Sequence, residues 1–135
     1  MGDLLQTDLA ALALEIGKLL EDHNGGEVTV LDMRKLNFWT DFFVIATVTS
    51  GTHLSGLERH MKDFAIERDV EILRRSRRPK LSSGSLSGIE GQNDEWCLLD
   101  MGSIVVHLMS ANARAFFELE RLWSAAPRLL RGTVA

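Results

Sequence analysis

A chain of 135 residues, 45% hydrophobic and 25% charged, is long enough to bury a core and too apolar to be a disordered segment. No apolar run approaches the roughly 20 residues that cross a bilayer. The acidic start MGDLLQTDLA lacks the basic residues of a targeting peptide, so a cytoplasmic protein without membrane contact is expected.

Residues 1–135 read as a single domain without repeats. Leucine and isoleucine at three- and four-residue steps predict a helix from Leu4 to about His23, ended by Asn24-Gly25-Gly26. Glu27–Leu31 alternates as a half-buried strand, Met33–Thr40 is a connector with Trp39 packed on the body, and Asp41–Thr49 is an apolar central strand. Ser50-Gly51-Thr52 is a turn whose hydroxyls can cap a helix running from about His53 to Arg68. Val70–Leu73 could begin a further strand, whereas RRSRRPKLSSGSLSG, residues 74–88, reads as a mobile basic surface loop.

Glu95–Trp123 organises the rest. Trp96–Leu99 and Ile104–Leu108 are apolar runs around Asp100-Met101-Gly102-Ser103, a hairpin signal, and apolar residues on both faces place them centrally in a sheet. Phe116, Leu119, Leu122 and Trp123 then form the apolar stripe of a helix, with Arg114, Glu118 and Arg121 opposite; residues 125–135 read as a tail broken at Pro127. The order α-β-β-α-(β)-β-β-α predicts an α/β fold, a mixed sheet flanked by helices. Tight hairpins pair antiparallel, and a strand-helix-strand crossover pairs parallel.

Charge is uneven. Arg74, Arg75, Arg77, Arg78 and Lys80 lie together, and without them 10 basic residues face 19 acidic ones. Such a body attracts basic partners and is repelled by phosphate backbones, although the arginine stretch could touch nucleic acid locally.

Motifs for chemistry are mostly missing. The turn SGTHLSG opens a helix but lacks the lysine of a phosphate loop and the third glycine of a dinucleotide fingerprint, so helix capping is the simpler reading. His53 and His60 lack metal-ligand spacing and read as solvated helix histidines, and the lone Cys97 reads as a core residue in a reducing compartment. His107 lies near Asp100 across the hairpin, where the pair could form a general base with its orienting acid, or the ring could simply satisfy a neighbour. Asp32, Asp41 and Asp100 stand near strand ends, but no strand carries the close acid pair of a two-metal site. No metal or cofactor is expected.

The pattern resembles the ribosomal silencing factor, or Iojap-like, family. One patch is Leu31-Asp32 with Asp41-Phe42-Phe43-Val44-Ile45-Ala46-Thr47 and Ser50. The stronger patch is Glu90-Gly91, Trp96, Leu99-Asp100, Gly102, Val105-Val106-His107, Arg114, Phe117, Leu119-Glu120 and Leu122-Trp123. Departures are Met101 and Phe117 where the family usually has tyrosine, Val48 for a usual glycine, and a longer basic loop. The resemblance implies a fold similar to a nucleotidyltransferase core without its catalytic acids. It also implies a non-enzymatic regulator of translation that binds ribosomal protein number fourteen of the large subunit and blocks joining of the small subunit. Trp96, Leu98 and Met101 would then be apolar anchors, with Asp100 and Glu120 facing cations and His107 in the same contact set. Arg74, Arg75, Arg77, Arg78 and Lys80 would touch peripheral ribosomal RNA. Strand alternation puts Trp96, Leu98 and Asp100 on one face and Leu99 and Met101 on the other, which leaves open the face that meets the partner. Two other readings stand beside this one: a metal-dependent nucleotidyl- or phosphoryl-transfer enzyme using Asp41, Asp100 and His107, and a homodimer joined through the apolar hairpin.

Overall fold

Periodic leucines wind Gly2–Asp22 into helix α1 in the computed structural model. The structure describes residues 2–36, 40–77, 96–117 and 126–130, with side chains for 9–36, 40–76, 96–115 and 126–129. Ala13, Ile16 and Leu20 of α1 are fully buried. Asn24 ends the helix in the left-handed region (φ 69°). Gly25 follows where any Cβ would lie 2.7 Å from the Leu20 carbonyl oxygen, so only glycine lets the chain turn so tightly back.

Strand β1 is Gly26–Asp32, and β2 is Phe42–Val48, antiparallel to it. The expected half-buried alternation of β1 is not found, since every residue from Val28 to Asp32 is buried. The cause is cover on both faces. Val28 and Val30 pack toward α1, while Leu31 packs into a second cluster with Met33, Phe43, Ile45, Val105, Met109 and Ala126. A 3-10 turn, Arg34–Leu36, follows β1, and the position predicted for Trp39 falls outside the described residues.

Helix α2, Gly51–Glu67, starts as expected: the Ser50 hydroxyl accepts the His53 backbone N–H at 3.0 Å. Leu54, Leu57 and Met61 are buried against the same sheet face as α1. Strand β3 is Arg74–Arg77, where the sequence predicts a loop; the rest of that predicted loop lies outside the described residues. Pairing with β4, Trp96–Asp100, supplies what composition does not: Arg74 stands opposite Asp100 and Arg77 opposite Cys97.

Strand β5, Ile104–Ser110, completes the hairpin around Gly102, whose φ of 86° fits glycine. All seven residues of β5 are buried, as central placement requires. Helix α3, Ala111–Phe117, follows at once, and its predicted continuation to Trp123 is outside the described residues. In the predicted tail, Arg128–Leu130 forms β6, an edge strand antiparallel to β1 and set by the Asp32 N–H donating to the Pro127 carbonyl at 2.8 Å.

The six described strands form one mixed sheet in the order β3-β4-β5-β2-β1-β6. β2 and β5 are parallel, and the other neighbouring pairs are antiparallel. The mixed α/β class expected from the element order is therefore the observed one. Helices α1 and α2 cover one face, and α3 covers part of the other.

Arg114 of α3 departs from its predicted place on a polar helix face: it is 7% exposed. Its guanidinium donates to the Gly26 carbonyl and to the Thr47 and Thr29 hydroxyls at 3.3, 2.9 and 3.0 Å, pinning α3 over the irregular start of β1. Among the described residues no helix is long and apolar enough to cross a membrane.

Candidate partner-docking face

Strand β4 is buried unequally on its two faces. Cys97 and Leu99 are buried under the helices, while Trp96, Leu98 and Asp100 are half-buried on the opposite face. Trp96 and Leu98 border the cluster of Phe43, Ile45, Val105 and Met109. Met101 does not join them; it packs against the helix-side core, so the structure separates it from the other predicted anchors. Glu120 lies outside the described residues.

His107 is the centre beneath this face. It is 4% exposed, too deep to touch a docked surface directly. The register sets it opposite Leu98 and beside Trp96, whose indole N–H donates to Nδ1 at 3.2 Å. An indole can only donate, so Nδ1 accepts, and the neutral ring carries its proton on Nε2. Nε2 has no hydrogen-bond partner among the described residues. The ring also meets Phe43 edge-to-face, with centroids 4.8 Å apart. Burial pushes the imidazole down to about 4, because a charged ring would lose its hydration there. His107 acts on the face through Trp96, holding the indole in one orientation.

The His107–Asp100 pair that the sequence allows is not formed; the ring is satisfied by a neighbour, the Trp96 indole. Asp100 stands opposite Val105, one diagonal step of about 7 Å from the position of His107. Its Oδ1 accepts the Gly102 N–H at 2.8 Å, so the carboxylate caps the hairpin turn. Asp41 adds nothing to that pair: its backbone bonds to Ser103 and Met33. Asp32 is forked to Arg34 at 2.9 and 2.6 Å; that bonding outweighs burial and holds its carboxyl below the usual range. Among the described residues no group of acids, histidines or cysteines could hold a metal ion.

The basic stretch divides. Arg75 turns to the helix side and forks onto Glu58 of α2, a carboxylate 5% exposed that also pairs with Lys62 at 3.2 Å and takes the Cys97 S–H at 3.5 Å. Burial alone would raise the Glu58 carboxyl, but Arg75 and then Lys62 outweigh it and hold it below the usual range. Arg74 is exposed, the Arg77 side chain is not described, and Arg78 and Lys80 lie outside the described residues. Sequence reasoning missed Glu58, which looks like any polar helix position. The Glu58→Gln variant should lose about 1 kcal/mol, limited by the partial exposure of Arg75. The matching sign is faster hydrogen exchange at Arg74–Arg77; unchanged exchange there would show that the pair does not hold β3.

His53 and His60 are not simply solvated. His53 Nδ1 accepts the Thr49 N–H at 3.0 Å and its Nε2 reaches the His23 carbonyl at 3.3 Å, tying the end of α1 to the start of α2. His60 stacks on His23 with centroids 3.6 Å apart, and burial, then the neighbouring His23, lowers its pKa.

Comparison with known proteins identifies relatives of the chain. The chain is 35% identical to the ribosomal silencing factor RsfS of Treponema pallidum, over 82% of this chain and 88% of that one. It is also 35% identical to an Iojap-related mitochondrial protein of Arabidopsis thaliana, over 82% of this chain but only 55% of the relative, so it spans about half of that protein. A crystal structure from Chromobacterium violaceum is similar at a TM-score of 0.65 and 26% identity, covering 96% of this chain and 92% of that one. The sequence model of the family described as "Ribosomal silencing factor during starvation" matches residues 6–134, and the chain belongs to that family.

Proposed function

We propose that this protein acts in the cytoplasm as a non-enzymatic silencing factor. In this reading it binds the large ribosomal subunit through ribosomal protein number fourteen and keeps the small subunit from joining. The observation that supports it is the half-open face of β4, where Trp96 and Leu98 stand beside the carboxylate of Asp100. An aromatic and an aliphatic anchor with a flanking charge are what a small docking patch on a basic protein needs. Blocking by occupancy requires no reacting groups, only a standard interface of about 800 Å² per partner.

The experiment is a sucrose gradient of purified large and small subunits with the protein added. Joined particles should fall as the protein saturates the large subunit, and normal joining at saturation would sink the proposal. Asp100→Lys should weaken association with large subunits by more than about tenfold, and raised salt should weaken the wild type. A peripheral ribosomal RNA contact by the basic stretch is the lesser part of the reading, since Arg75 is already engaged by Glu58.

A further inference from the structure

Strand β3 is the outermost strand beside β4, and among the described residues nothing pairs with its other edge. Such an edge presents backbone N–H and C=O groups that can accept an added strand. The side chains decide which strand. Three of the four residues of β3 are arginines. Two copies of this chain meeting antiparallel through β3 would set arginines against arginines, and like charges directly opposite disfavour pairing.

An acidic strand meets the reverse situation. Arg74 is exposed and makes no ion pair among the described residues. Arg75 is committed through Nε and Nη2 to Glu58 on the helix side, with 42% of its side chain exposed. Just before the strand Leu73 is 60% exposed, with its Cδ1 against the Gly102 turn. Among the described residues, an arginine without an ion pair therefore stands on one face of the outer edge, with an apolar foothold, Leu73, on the other.

We propose that the outer edge of β3 takes an extended acidic peptide of a partner protein as an added strand. Its backbone pairs with Arg74–Arg77, its carboxylates lie on the face of Arg74, and its apolar side chains lie on the opposite face beside Leu73. The acidic body of the molecule confines such a partner to this edge, because carboxylates are repelled elsewhere. The proposal does not rest on ribosome binding, and its test needs no ribosome.

The test is amide-resolved NMR of the full chain titrated with a blocked hexapeptide, Glu-Val-Glu-Val-Glu-Leu. The lysine counterpart and a short oligouridylate are run in parallel. The acidic peptide should shift the Arg74–Arg77 amides saturably and slow hydrogen exchange at those facing outward. The lysine peptide should bind at least about tenfold more weakly, and Arg74→Glu, an exposed substitution, should erase or invert that preference. Shifts without slowed exchange, or equal response to both peptides, would overturn the proposal. So would an oligouridylate response as strong as the acidic peptide's, which marks a phosphate contact, or slowed exchange from self-association without peptide.

Discussion

Lowering the pH from 6.5 toward 4 should remove about 3 kcal/mol of folding stability, most of it through one buried histidine. In the folded chain His107 titrates at about 4, against 6.5 when unfolded. Between those values the unfolded state binds the proton and the folded state does not. The stabilisation is therefore complete above pH 6.5 and is lost as pH falls to about 4. The carboxylates of Glu58 and Asp32 act in the same direction but only lower down, because their ordinary values are 4.5 and 3.8 and the fold depresses both. His60 shares the window, yet it is only half-buried, so solvent screening reduces its part. Denaturant unfolding of wild type and His107→Gln from about pH 8 to about pH 5 separates these contributions. Glutamine can still accept from the Trp96 indole, but it cannot titrate. The wild-type slope should approach about 1.4 kcal/mol per pH unit, and the variant should lose most of it. Equal slopes would mean that His107 is not the group responsible.

The core was legible in the sequence, and the sheet's two edges were not. Strands β2 and β5 announce themselves through apolar runs, α1 and α2 through periodic leucines, and the turns through Asn24, Ser50 and Gly102. All of these signals are local. Strand β3 carries no apolar pattern; it exists because β4 pairs with it and Glu58, seventeen residues away, holds Arg75. Strand β6 is likewise made by pairing with β1 after a proline that reads as a break. Arg114 looks like a solvated helix residue until Thr29 and Thr47, 85 and 67 residues earlier, are brought beneath it.

The candidate site shows the same division. Hairpin register correctly brings His107 close to Asp100, but it does not say which neighbour the imidazole chooses. Asp100 is drawn to the Gly102 N–H at the turn, and Trp96, a donor at the right register position, takes Nδ1 instead. The alternation expected within the hairpin is the observed one. Leu98 shares its face with Trp96, and Met101 faces the helices.

Replacing Leu98 by lysine should lower affinity for large subunits about thirtyfold or more, the effect of losing a central anchor while adding a cation toward a basic partner. Leu98 is half-buried and lies next to the strand edge, so a lysine stem can lie along the same surface with its ammonium in water. Stability should therefore change by less than about 1 kcal/mol, and the loss of binding cannot be blamed on unfolding. Trp96→Ala should weaken binding as strongly, but it also removes the donor to His107 and is less cleanly interpreted. The decisive control is Ile66→Lys. Ile66 is 79% exposed on α2, which packs against the opposite face of the sheet, and the same charge placed there should leave association within about twofold. Comparable losses for Leu98→Lys and Ile66→Lys would show that overall charge, not the β4 face, governs docking. A loss confined to Ile66→Lys would place the partner on the helix side and refute the face assigned here.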